Sequence, residues 1–267
     1  MTLYDICDIK DDAERTNKFY ELFCNEDSRL THGKASRVEF LTTTRYIEKY
    51  LKTGDKILDI GAGTGIYSIY FAEKGYDVKA IELADKNVQV FREKITSELK
   101  IDLQQGNAVD LSIYEDESFD IVLLFGPLYH IKDINDRTKC IEEAKRVCKK
   151  DGKIFIAYIS RDMSCLVEGI HWPDFWAMDT YDHDTFEIIK APFELYNVDE
   201  CKKMLIEAEL DIKNIVASDG CSELLQDKIN TFTDEQYEQY LKWHFYTCEK
   251  PEMIGHSSHY LFVAEKK

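Results

Sequence analysis

The chain is short of positive charge. Its 267 residues hold 51 acids against 34 bases, a formal net charge of −17. A nucleic-acid backbone needs a cationic footprint, so this balance disfavours a nucleic-acid partner. It disfavours an anionic membrane surface on the same ground. Long apolar runs are missing: no stretch approaches the roughly 18 residues of a membrane span. The opening MTLYDICDIKDDAERTNKFY lacks the basic flank and apolar run of a secretory signal. The eight cysteines include no C-x-x-C pair. That predicts reduced thiols, a cytoplasmic protein and no metal site. Repeats and low-complexity linkers are absent too, so the length fits one large domain or a core with a cap.

What is present alternates. Apolar residues make up 44% of the chain, enough for a sizeable core. Strand patterns at 56–60, 77–83, 101–106, 119–125 and 153–159 are separated by helical patterns at 64–75, 85–95 and 135–152. This order predicts an α/β protein with a parallel sheet. The first of these helices places Ile66, Ile69 and Tyr70 on one side and stops at Gly75. The second uses Val88, Phe91 and Ile95, and Gly152 is expected to end the third. Ahead of the sheet, 40–54 reads as an amphipathic helix through Phe40, Thr44, Ile47 and Leu51. Beyond it, 160–197 is rich in aromatics without a clean period. A helix at 199–210, a strand at 211–218, a helix at 233–248 and a strand at 259–265 follow. Thr233 and Gln236 form a capping box for the last helix, and Phe232 is placed to staple onto Tyr237. His244 falls on that helix's apolar face and reads as core.

The densest signal is ILDIGAGTG at 57–65, where a buried-strand pattern runs into three glycines. Glycine costs conformational entropy, so such a cluster marks a sharp turn or a close approach. Strand, glycine-rich turn and helix together place a ligand at the carboxyl end of the sheet. The spacing is G-x-G-x-G, with Ile66 where a dinucleotide loop carries its third glycine. A nicotinamide oxidoreductase is therefore the weaker reading. Glu82 ends the second strand 21 residues after Gly61, where a carboxylate can accept both hydroxyls of a ribose.

ILDIGAGTG, AIEL, QQGNAVDL and FDIVLLFGPLYHI, in that order, resemble the successive motifs of class I S-adenosylmethionine-dependent methyltransferases over about residues 40–160. The resemblance implies a Rossmann-like fold: a seven-stranded, mostly parallel sheet with helices on both faces and one antiparallel strand near an edge. It implies S-adenosyl-L-methionine as cofactor and S-adenosyl-L-homocysteine as product. Asp59 would order the loop near the cofactor's amino-acid part, and Gly61, Ala62 and Gly63 would pass beneath it. Glu82 would hold the ribose, Leu83 would pack on adenine, and Asn107 and Ala108 would meet the adenine edge. Phe125 and Gly126 would floor the site beside the sulfonium. Gly65 would serve close helix–strand packing.

Residues 1–39 would form a lid, with Tyr20, Arg29 and His32 as contacts and Arg29 free to pair with a carboxylate of cofactor or substrate. Residues 40–267 would form the methyltransferase domain, with helical and aromatic cap insertions at about 160–197 and 219–257. Tyr129, His130 and His259 are the catalytic candidates: His130 as base or substrate hydrogen-bonder, His259 near the rim, Tyr129 as wall. Methyltransferases of nucleic-acid amines carry a polar residue where this chain has Phe125. That, with the net charge, favours a small-molecule acceptor. A protein or tRNA acceptor, and a cofactor-binding module without catalysis, are the alternatives.

Overall fold

A computed structural model describes all 267 residues. The chain opens with α1 (Leu3–Cys7), α2 (Asp12–Leu22) and α3 (Arg37–Glu48). It then alternates through β1 (Lys56–Ile60), α4 (Ile66–Glu73), β2 (Asp77–Glu82), α5 (Asp85–Lys94), β3 (Ile101–Gln105) and β4 (Phe119–Leu124). The short α6 (Pro127–His130) and α7 (Ile134–Val147) lead to β5 (Cys148–Ile159) and α8 (Arg161–His171). The remainder is α9 (Val198–Glu207), β6 (Leu210–Ala217), α10 (Gln226–Ile229), α11 (Asp234–Thr247), α12 (Pro251–Ile254) and β7 (His259–Lys266).

The seven strands form one sheet in the order β3-β2-β1-β4-β5-β7-β6. Neighbours from β3 to β5 are parallel, and β7 runs antiparallel to both β5 and β6. Both faces are covered, which is why β1, β4 and β7 are nearly continuous in apolar residues. Leu58 and Ile60 point to the face packed by α7 and α9. Ile57 points to the other face, against Tyr46 and Ile47 of α3 and Tyr67 and Phe71 of α4. The expected Rossmann-like sheet is therefore present, with six parallel strands and one reversed. No helix is long and apolar enough to cross a membrane.

Several local expectations are corrected. Gly152 does not end a helix: α7 stops at Val147 and Gly152 lies inside β5. A Cβ there would meet Asp120 O at 2.8 Å, beside the register shift between β4 and β5; glycine marks the irregularity in a strand. On α4 the buried side is Tyr67, Ser68, Phe71 and Ala72, while Ile66, Ile69 and Tyr70 are half-buried. The helix turns this way because Ser68 bonds Asp59 and the two aromatic rings enter the core. The helix before the sheet starts earlier and ends at Glu48, so Leu51 lies beyond it. The capping box on α11 is present, but the ring beside Phe232 is Tyr240, at 6.0 Å. His244 is core, as its position implied: it lies 2.9 Å from the Thr42 hydroxyl, and burial pushes its imidazole down to about 4.

The aromatic stretch after β5 builds a small core of its own. Phe175 and Tyr181 stack with centroids 4.9 Å apart, packed with Cys165 of α8. The rest of that stretch lies beside a cavity described below.

Candidate functional site

The strand order reverses at β1 and β4, and an open α/β sheet binds ligands at the carboxyl ends of the strands beside such a point. The glycine loop leaves β1 there. Gly61, Gly63 and Gly65 have φ of +75°, +56° and +86°, a region costly for other residues. A Cβ on Gly61 would sit 2.6 Å from Pro127 Cδ and 2.8 Å from Phe125 O. The loop is thus pressed against the exit of β4. Gly65 serves packing, though its partner is not a strand: a Cβ would overlap the Phe91 ring of α5 at 2.1 Å.

Two buried carboxyls floor the crevice. Glu82 is 5% exposed. Its oxygens accept from Gly63 N and Ala84 N, each at 2.8 Å, which ties the loop to the tip of β2. Burial raises its pKa, helped by the charge of Glu26. Asp59 is 1% exposed. Its Oδ2 accepts from Ser68 Oγ at 2.7 Å, while Oδ1 has no partner. Burial, with Glu82 nearby, pushes this carboxyl up to about 7. No cationic side chain pairs with either acid. Gly61, Ala62, Gly63 and Leu83 line the same crevice, as do Asn107, Ala108, Phe125 and Gly126. An orphaned buried oxygen at Asp59, a cradle that a Cβ on Gly61 would fill, and a carboxylate at the tip of β2 suit an adenosyl ligand carrying an ammonium group.

The N-terminal segment roofs this floor. Arg15 of α2 is 1% exposed and donates to the His130 carbonyl at 2.6 Å. Asp12 accepts from Lys132 N at 2.8 Å, and Lys86 donates to the carbonyls of Tyr20 and Cys24 at 3.0 Å. Tyr20, Arg29, Tyr129 and His130 all line the crevice from above.

His130 is not placed to be a base. Its ring lies among Phe19, Tyr20, Tyr129 and Phe193, with centroids 5.1–6.3 Å away. Its Nε2 lies 3.0 Å from the Tyr20 hydroxyl. Burial, and then the charge of Arg15, drives its pKa down to about 3, so the imidazole is neutral and weakly basic. Arg29 departs from expectation too. It donates to Glu26 at 2.9 Å and to Glu39 at 2.8 Å, so its charge is committed within the chain. His32 is exposed and turned to the carbonyls of Ser28 and Arg29 at 3.2 and 3.1 Å.

His259 stands at the start of β7, away from the crevice but on the wall of a second chamber beside it. Its Nδ1 is 2.8 Å from Asp219 Oδ2 and 3.6 Å from Glu39 Oε2. Burial alone would lower its pKa, but Glu39 and Asp219 outweigh burial and lift it to about 9. Burial works to raise Asp219, yet the His259 charge and bonds from Ser257 and His259 N hold it below the ordinary range. The second chamber shares Tyr20, Glu26, Arg29, Leu30 and Tyr129 with the crevice. Glu26, Glu39 and Asp219 were missed from sequence. The signal for Asp219 was topological: it follows the carboxyl end of β6, the same sheet edge that carries Glu82.

A family model for a methyltransferase domain matches residues 58–156. The chain is 32% identical over 118 residues to a ubiquinone biosynthesis O-methyltransferase of Idiomarina loihiensis, covering 44% of this chain and 47% of that one. It spans about half the length of the first curated relatives it matches. Among solved structures, the PH0226 protein of Pyrococcus horikoshii OT3 superposes with a TM-score of 0.62 at 17% identity, covering 94% of this chain and 99% of that one. A SAM-dependent methyltransferase from Archaeoglobus fulgidus superposes with a TM-score of 0.58 at 17% identity, covering 93% and 100%. At such identity these likenesses are of fold.

Proposed function

We propose that the chain is a class I S-adenosylmethionine-dependent methyltransferase, as the family model over residues 58–156 supports, and that it methylates a small molecule held in the chamber beside the β1–β4 crevice. The observation that carries this reading is the floor: two buried carboxyls without counter-charge, at the point where the strand order reverses.

When bound, S-adenosylmethionine supplies a methyl group already activated on a positively charged sulfur. The chain's work is then binding and alignment. Asp59 Oδ1 receives the ammonium of the amino-acid part, which satisfies its missing partner. Glu82 accepts from the ribose hydroxyls with lone pairs not used by Gly63 and Ala84. Leu83, Asn107 and Ala108 would hold the adenine, and Phe125 and Gly126 would floor the site beside the sulfonium. Residues 12–30 form the lid, with Tyr20 and Tyr129 between the crevice and the second chamber. Excluding water there strengthens each electrostatic contact. His259, held through Nδ1 by Asp219, keeps its other ring nitrogen for the acceptor. As an imidazolium it donates a hydrogen bond and orients the acceptor. His130 holds Tyr20 and takes no proton.

Two measurements test this. Calorimetry should show binding of S-adenosylhomocysteine and none of NAD. Labelled methyl groups offered with a cell extract should enter the small-molecule fraction. Label in protein or RNA would replace the acceptor class, and tight cofactor binding without any label would favour a module without catalysis.

A further inference from the structure

Beyond the second chamber lies a third cavity of about 750 Å³, bounded by α8, the aromatic stretch and the start of β7. The two share Phe19, Ile159, Phe193, Glu223 and His259. The crevice, the second chamber and the outer cavity thus lie side by side along one path, the first two sharing Tyr20 and Tyr129 and the last walled by Phe19, Trp172, Phe175 and Phe193.

The charges along this path do not cancel. The second chamber is lined by Glu26, Glu39, Asp219 and Glu223 against Arg29 and His259. Arg29 serves Glu26 and Glu39, and His259 serves Asp219. Glu223 has no hydrogen bond or ion pair of its own: it is half-buried and faces both chambers, and only the longer-range charge of His259, already paired with Asp219, bears on it. At the mouth of the outer cavity Glu168 also lacks a partner, and part burial with the charge of Glu223 raises its pKa. Lys190, which lines the same cavity, lies 3.7 Å from Asp8. A separate observation points to a ligand. Ser258 lines the outer cavity at 2% exposure, and its Oγ has no hydrogen-bond partner. The same holds for Thr180 Oγ1, which is buried and unpartnered on that wall.

We propose that the outer cavity binds a protonated amine carried by the acceptor, with Glu223 as its counter-ion, the Ser258 hydroxyl as a hydrogen-bond partner and the aromatic walls covering the rest of the molecule. A carboxylate and aromatic faces together recognise an ammonium group: the first by charge, the second through the ring quadrupole. The acceptor is then an amine with a planar or apolar body, not an organic acid. This inference rests on the small-molecule reading above and narrows it.

The test is calorimetry on the full chain saturated with S-adenosylhomocysteine. Phenethylamine, tyramine and tryptamine are titrated against 3-phenylpropionate, 3-(4-hydroxyphenyl)propionate and indole-3-propionate. The amines should bind more tightly than their matched acids, and Glu223→Gln should weaken the best amine about tenfold or more, as expected for a lost charge-assisted bond. Glu168→Gln, at the solvent-facing mouth, should give a smaller loss in the same direction. Unchanged S-adenosylhomocysteine affinity in both variants certifies their fold, since neither residue lines the crevice. Acids that bind as well as amines, no amine bound, or an amine affinity indifferent to both substitutions would each overturn the proposal. If the unaltered chain fails to bind S-adenosylhomocysteine at all, it is the methyltransferase reading that falls.

Discussion

The floor of the crevice and the second chamber beside it, here called floor and roof, both hold carboxyl groups, and the chain partners the two sets differently. In the floor, Asp59 and Glu82 have only hydroxyl and amide donors, and both are pushed toward protonation. In the roof, Glu26 and Glu39 are bonded by Arg29, and Asp219 by a histidine that is charged because of it. Asp59, Glu82 and Asp219 are all buried, yet the first two are raised and the third is lowered, so burial alone does not decide the direction. What decides it is whether the chain supplies the opposite charge. In the roof the chain itself brings a cation to Glu26, Glu39 and Asp219, and only Glu223 is left without an ion pair. The floor is left to be completed by a molecule that brings a cation and hydroxyls.

The largest effect that would break this contrast is steric. Gly63→Val puts a branched side chain at φ +56°, with Glu26 Cγ 3.2 Å from its Cβ. We expect S-adenosylhomocysteine binding to vanish in calorimetry while circular dichroism stays unchanged; normal binding would reduce the glycines to turn formers. Glu82→Ala should cost about 1.5–3 kcal/mol of cofactor affinity, the range for hydrogen bonds to a charged group. An unaltered constant would remove Glu82 from the site.

A subtler effect is pH dependence. Asp59 titrates near 7, and an ammonium selects its ionised form. Cofactor binding should therefore strengthen as pH rises through about 7 and release protons, visible as a buffer-dependent enthalpy. Asp59→Asn should flatten that profile.

The smallest effect tests the roof. In Asp219→Asn, the His259 pKa read by NMR should fall from about 9 toward the ordinary value. His259 is raised in the folded state. The stability it contributes is therefore complete below its unfolded pKa of about 6.5 and lost as pH rises through about 9. Thermal unfolding of the variant should show a shallower alkaline slope, the remainder coming from Glu39. A slope unchanged by the substitution would mean that Asp219 does not set the charge of His259.

The floor was legible because its causes are local. ILDIGAGTG carries its own strand, turn and helix start, and Glu82 follows from the next strand's length. All the cofactor-side candidates from Asp59 to Gly126 meet in one crevice. The roof was not legible, because its partners are remote. Glu39 and Asp219 lie 180 positions apart, and they meet only because β6 and β7 bring the chain back to the same sheet edge. His130 looked basic until Phe19 and Phe193, from segments far to either side, closed around its ring. Arg29 looked free because nothing in its own neighbourhood shows that Glu39 would turn toward it.

The sheet can close only when β7 is made. That strand inserts between β5 and β6, both of which precede it in the chain, and its first residue is His259. The residues of β1, β2 and β4 that line the crevice are therefore all made before His259, which walls the second chamber.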